Sequence, residues 1–111
     1  MPAEPRPACS LEVEDAGAGT CVLRLSGVLD FASVPPLHTN AADHFRGKSK
    51  VIVDLAGVTR SNSAGLALLL EWQHLAQREK CEIRLRNMPA ALRNIARVCE
   101  LEDLLPGTVE S

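Results

Sequence analysis

From Leu11 the chain alternates, Leu11-Glu12-Val13-Glu14 setting apolar against charged positions at the period of a half-buried edge strand. Gly17 to Gly19 supplies a turn, and Cys21-Val22-Leu23-Arg24-Leu25 reads as a second strand, so the pair predicts a hairpin. Ser26-Gly27 closes that strand, with Val28-Leu29 continuing toward Asp30. Ser33 is expected to cap a helix whose first turn holds Val34, Pro35 and Pro36, because proline is tolerated where amide donors have no helical partner. Leu37, Ala41, Ala42 and Phe45 then recur at helical spacing, and Gly47 is the expected stop.

Val51-Ile52-Val53-Asp54-Leu55 is a β-branched, nearly unbroken apolar run, the pattern of a central strand covered on both faces. Ala56 to Ser61 is expected to lead out of it as a loop. A long helix follows over about Ser63 to Glu79. On it Leu68, Leu69, Trp72, Leu75 and Ala76 form an inward stripe, with Glu71, His74 and Arg78 opposite. Glu82-Ile83-Arg84-Leu85-Arg86 alternates again as a strand. Asn87 and Pro89 open a third helix with Leu92, Ile95, Ala96, Val98 and Cys99 as its apolar stripe, and Leu101 to Leu105 adds a last turn. Strand, strand, helix, strand, helix, strand, helix predicts an α/β fold: a small mixed sheet with an antiparallel edge hairpin and parallel crossovers, packed with helices. Pro2, Pro5 and Pro7 predict a flexible leader over residues 1–8, leaving one domain over 9–106 and a C-terminal tail over 107–111.

Composition narrows the function. At 46% hydrophobic and 23% charged residues in 111, the chain can build a core without metal or disulfide staples. A formal charge of -2 and only three aromatic residues leave neither a basic face for phosphates nor rings on which bases stack, so nucleic acid is not an expected partner. Cys9, Cys21, Cys81 and Cys99 form no C-x-x-C pair and have no histidine at zinc-site spacing; they are expected as buried or idle thiols in a reducing cytosol. No run approaches the ~18 apolar residues of a membrane span, so no direct membrane insertion is expected.

No catalytic set emerges. Ser61-Asn62-Ser63-Ala64-Gly65 lacks the glycine that precedes the serine in a nucleophile elbow, and no phosphate-binding loop, H-E-x-x-H pair or calcium loop occurs. His38, His44 and His74 stand apart, and Asp54 at the end of its strand is read as a carboxylate that hydrogen-bonds the turn beyond it. No cofactor or metal is expected, and the chain is not read as an enzyme. The informative segment is Ser61 to Leu70. Ser61, Asn62 and Ser63 are all helix-capping types, and a side chain there sits beside free amides at the positive end of a helix, where added negative charge is tolerated. Leu66 and Leu70 fall outside the inward stripe. Either they make an apolar patch beside this polar loop, or a neighbouring element covers them.

These residues carry a family resemblance. Val51-Ile52-Val53-Asp54-Leu55 followed by Ser61-Asn62-Ser63-Ala64-Gly65-Leu66 resembles the strand, short loop and D-S-x-G helix start of the STAS domain family. Gly27-Val28-Leu29-Asp30 is similar to its G-x-L-D element, and Leu101 to Leu105 to its closing helix, so the resemblance spans about Leu11 to Leu105. Ser63 through Trp72 most resembles the MlaB-like branch, cytoplasmic subunits of ABC transporters that move phospholipids between bacterial membranes. The resemblance implies a non-catalytic subunit that docks on the transporter's ATPase subunit, MlaF-like, at the inner membrane. Ser63 would be the regulatory hydroxyl or phospho-acceptor, and Ser61, Asn62, Ser63, Ala64, Gly65, Leu66 and Leu70 the partner-binding residues. The alternative within the family is an anti-sigma-factor antagonist, phosphorylated at Ser63 by a kinase-like anti-sigma factor. The family's usual acid before the serine is Asn62 here, and that lost charge favours docking over phosphorylation.

Overall fold

The computed structural model describes residues 9–105 and 107–108; the leader expected over 1–8 lies outside them, as do 106 and 109–111. The hairpin forms as expected: β1 (Cys9–Gly17) pairs antiparallel with β2 (Thr20–Leu29). β3 (Lys50–Ser61) and β4 (Glu82–Arg86) follow in parallel register, and a two-residue β5 (Gly107–Thr108), in the segment expected as tail, extends the sheet beside β4. The five strands lie in sequence order. The helices are α1 (Val34–Ala42), continued by a 3-10 turn over Asp43–Phe45, then α2 (Ser63–Arg78) and α3 (Ala90–Val98).

One face of this sheet carries the core. Cys21, Leu23 and Leu25 of β2, Val51, Val53 and Leu55 of β3, and Ile83 and Leu85 of β4 point to it. They join Leu37, Ala41 and Phe45 with the α2 stripe of Leu68, Leu69, Trp72, Leu75 and Ala76. The Trp72 indole is fully buried, lies 5.8 Å from the Phe45 ring, and donates a 2.8 Å hydrogen bond to His38 Nδ1, so α1 and α2 are clamped by a polar as well as an apolar contact. His38 is therefore an acceptor for a core indole.

β3 is central and buried on both faces over Val51–Leu55, as its apolar run predicts, but its outward face is not part of the core cluster. Across it the register places Glu12, Arg24, Asp54 and Arg86 in one row and Glu14, Val22, Ile52 and Arg84 in the next. Arg24 pairs with Glu14, and Arg24 and Arg86 each approach Asp54 to 3.9 Å. Val22 and Ile52 are buried but lie outside the core cluster, in a row flanked by Glu14 and Arg84 and next to the row of Glu12, Arg24, Asp54 and Arg86. Asp54 accepts from the Ala56 amide at 3.0 Å and from Asn87 Nδ2 at 3.1 Å; it does not end its strand as expected, so the amide it holds belongs to β3, where the register with β2 shifts, and not to a turn.

Three further differences have local causes. The segment Ala56 to Ser61 is not a loop: beyond a shift of register near Arg24, β2 and β3 pair again as far as Leu29 and Ser61. Gly57 permits this, since a Cβ there would strike Ser26 Oγ and lie 2.9 Å from the Leu25 carbonyl. Ser33 does not cap α1 with its side chain; its hydroxyl instead accepts from the Asp30 amide at 2.9 Å and donates to the Val28 carbonyl at 2.8 Å. Val98 and Cys99, expected in the α3 stripe, are exposed because α3 ends there and Glu100, at positive φ, turns the chain back; Leu92 and Ala96 are the residues α3 buries.

Leu66 also faces inward, at 3% exposure within the core, and Leu70 is half-buried against it. A neighbouring element covers them, and no apolar patch forms at those two positions. Leu66→Ala is expected to cost about 2–5 kcal/mol of unfolding free energy and Leu70→Ala less than about half of that, measured by urea denaturation. Equal small losses would contradict the packing described.

Candidate functional site

The parallel strands β2 and β3 end together, with Leu29 opposite Ser61, and the Asn62 amide donates to the Leu29 carbonyl at 3.1 Å. Here the chain turns directly into α2. Of the three capping types, Asn62 takes the role: its Oδ1 accepts from the Ala64 amide at 2.8 Å, and its carbonyl accepts from the Gly65 amide at 3.0 Å. Ser61 donates its hydroxyl to the Asn62 carbonyl at 3.1 Å. Ser63 is left as the first helical residue, exposed, with a side-chain hydroxyl that makes no hydrogen bond among the described residues.

Gly65 seats this turn. A Cβ on it would collide with Ser61 Oγ and come within 3.2 Å of two Leu29 side-chain carbons. The first turn of α2 therefore rests backbone-first on the strand ends, which fixes where the Ser63 hydroxyl stands. The expected partner-binding set is accordingly divided. Ser61, Asn62 and Ser63 line or flank the surface, whereas Ala64, Gly65 and Leu66 are buried and Leu70 is half-buried, so these four support the site from behind and do not form its face.

An open cleft of about 380 Å3 lies beside Ser63, lined by Val28, Leu29, Asp30, Arg60, Ser61 and Asn62. Its far wall is the turn from β2 into α1. The Asp30 carboxylate accepts from the Ala32 amide at 3.0 Å and the Ser33 amide at 2.9 Å, while Ser33, 5% exposed, returns its own bonds to Asp30 and Val28. The Ser33 amide above all, aided by the Ala32 amide against some desolvation, holds the Asp30 carboxyl below the usual carboxylate range. At the apex of the turn stands Phe31, 72% exposed. Arg60, at the cleft's edge, forms no ion pair among the described residues. Arg60 and Phe31 are the residues sequence reading missed: only the return of β3 to β2 brings Arg60 to the cleft, and Phe31 breaks no periodicity. Asp30 was legible as part of Gly27-Val28-Leu29-Asp30.

Elsewhere the thiols carry no chemistry for this site. Burial pushes Cys9, Cys21 and Cys81 up from the ordinary thiol range, which keeps them protonated and slow to react.

A mixed sheet with helices on one face, its α2 starting at the joined ends of two parallel strands, is the architecture of STAS domains. The sequence model of the family described as Mlab, STAS domain matches residues 13–106, and the chain belongs to the STAS family. No curated protein sequence matches it. Among solved structures it is similar to the unphosphorylated anti-sigma factor antagonist SpoIIAA, at 17% identity over 92% of this chain and 88% of that one, TM-score 0.73. The phosphorylated form of the Bacillus cell fate determinant SpoIIAA aligns at 18% identity over 92% and 91%, TM-score 0.67. An anti-sigma factor antagonist from Mycobacterium paratuberculosis aligns at 20% identity over 96% and 90%, TM-score 0.73. At these identities the likeness is one of fold.

Two predictions follow from the seat and the turn. Alanine is the better helix former by about 1 kcal/mol, yet overpacking costs about 1–3 kcal/mol, so the clash decides: Gly65→Ala is expected to be net destabilising in urea titration. A stabilised variant would show that α2 is free to shift. Asp30 is held below its unfolded value, so its contribution to stability is full above about pH 4 and lost as the pH falls through that value toward the folded one. Asp30→Asn, which keeps an acceptor oxygen, is expected to flatten the acid limb of stability against pH; an unchanged limb would contradict the role assigned to the turn.

Proposed function

We propose that this chain is a non-catalytic docking subunit that binds the ATPase subunit of an ABC transporter for phospholipid trafficking between bacterial membranes and supports its assembly and activity. One observation carries the reading: Ser63 presents an exposed hydroxyl, unbonded among the described residues, on a rigid helix start, and the residue before it is neutral, its side chain consumed in capping Ala64. A hydroxyl so placed can bond a partner group directly. The match to the MlaB-type sequence model supports the same branch. A partner that binds one conformation of the ATPase better than another shifts its population by that difference in affinity. The subunit would sit at the cytoplasmic side of the inner membrane through the complex; no helix among the described residues is long and apolar enough to cross a membrane.

A second reading has its own support. Ser63 lies at the positive end of α2, where phosphate charge is tolerated, and structures of SpoIIAA in both unphosphorylated and phosphorylated forms share this fold. In that reading the chain is an anti-sigma-factor antagonist whose kinase-like partner modifies Ser63.

Affinity purification of the tagged chain from its host, with mass spectrometry of the bound proteins and of Ser63, separates the two. The docking reading expects an ABC ATPase with its membrane subunits and an unmodified Ser63. It also expects Ser63→Glu to reduce that recovery about tenfold, the scale of a buried polar contact replaced by an unpaired charge, at an unchanged melting temperature. Recovery of a kinase-like anti-sigma factor, with one phosphate on Ser63, would overturn it in favour of the switch.

A further inference from the structure

Of the three aromatic side chains, Phe45 and Trp72 are fully buried and Phe31 is 72% exposed. Single exposed apolar residues are ordinary on soluble proteins; Phe31 differs in how it is held. Its neighbours on both sides are bonded: Asp30 accepts two amides at 2.9 and 3.0 Å, and the Ser33 hydroxyl ties the Asp30 amide to the Val28 carbonyl. The backbone under the ring is thus fixed in the free protein, and an aromatic side chain with two rotatable bonds loses little entropy when it is engaged. The turn leaves β2 at Leu29, whose carbonyl takes the Asn62 amide, and Asp30 and Asn62, the chain neighbours of Phe31 and Ser63, line one cleft. Arg60, without an ion pair among the described residues, is the cleft's free cation.

We propose that Phe31 is the anchor of the partner interface, a ring inserted into an apolar pocket of the partner protein whose rim carries a carboxylate opposite Arg60, and that Asp30 is a positioning residue for it. The inference rests on the docking reading and extends it by a second contact, on a different element from Ser63. Desolvated aromatic anchors near the middle of an interface dominate its energy, and a cation at the rim acts mainly on association and its salt dependence.

The test is titration of the full chain into the purified ATPase subunit of the host's phospholipid-transporting ABC complex. Phe31→Ala is expected to weaken binding about 30-fold or more without lowering the melting temperature, and Arg60→Glu about tenfold, less so at high salt. Asp30→Ala is expected to lose about fivefold, and Asp30→Asn, which restores the acceptor oxygen, to return to within about twofold of the parent. Unchanged binding by Phe31→Ala while Ser63→Glu is impaired overturns the anchor and leaves the docking reading standing. Unchanged binding in both variants, or no binding by the parent chain, removes the docking reading and the anchor with it. Binding of the parent to vesicles rich in anionic phospholipid, lost in Phe31→Ala while ATPase affinity is kept, would assign the ring to a lipid surface and overturn the proposal.

Discussion

The contact on which the exposed corner depends is the one between the backbone of Gly65 and the ends of β2 and β3. Leu29 and Ser61 occupy the space a side chain at position 65 would need. This lets α2 begin against the sheet, with Asn62 capping it and Ser63 on the outside. Leu66, one residue on, is driven into the core by the same approach. The position of one surface hydroxyl is therefore set by packing behind it, and a rigid seat lowers the entropic cost of any contact that hydroxyl makes.

The two faces of the sheet divide the labour. One face holds the apolar core that the helices cover; the other carries rows of charged residues beside the buried Val22 and Ile52. Glu14, Arg24, Asp54 and Arg86 partner one another along that face, and exposed pairs of this kind are worth little individually. They keep the face soluble and paired within itself. Ser63, whose hydroxyl makes no hydrogen bond among the described residues, Arg60, which makes no ion pair among them, and the exposed Phe31 all stand near the corner where β2 and β3 end.

Much of this was legible in the sequence, for physical reasons. The α2 stripe from Leu68 to Ala76 and the alternation of β4 follow from burial of one face, and the structure repeats them residue for residue. Where two strands rejoin past a register shift, periodicity is lost, so Ala56 to Ser61 resembled a loop. Ser33 resembled a cap because residue type does not distinguish a hydroxyl bonded to a turn from one bonded to a helix. Whether Leu66 was exposed or covered stayed open in the sequence because the wheel of α2 counts only the sheet beneath it and omits the strand ends against its first turn. Arg60 and Phe31 had no signal of their own; tertiary structure alone puts them beside Ser63.

In the docking proposal, a protein partner sits on the surface made by the β2–α1 turn and the start of α2. Amide hydrogen exchange, measured on the chain alone and bound to the partner recovered with it, tests this most directly. New protection is expected only in peptides covering 28–33 and 60–66, with the charged face of β1 and β4 unchanged. Protection on that face, with the corner exchanging as in the free protein, would contradict it.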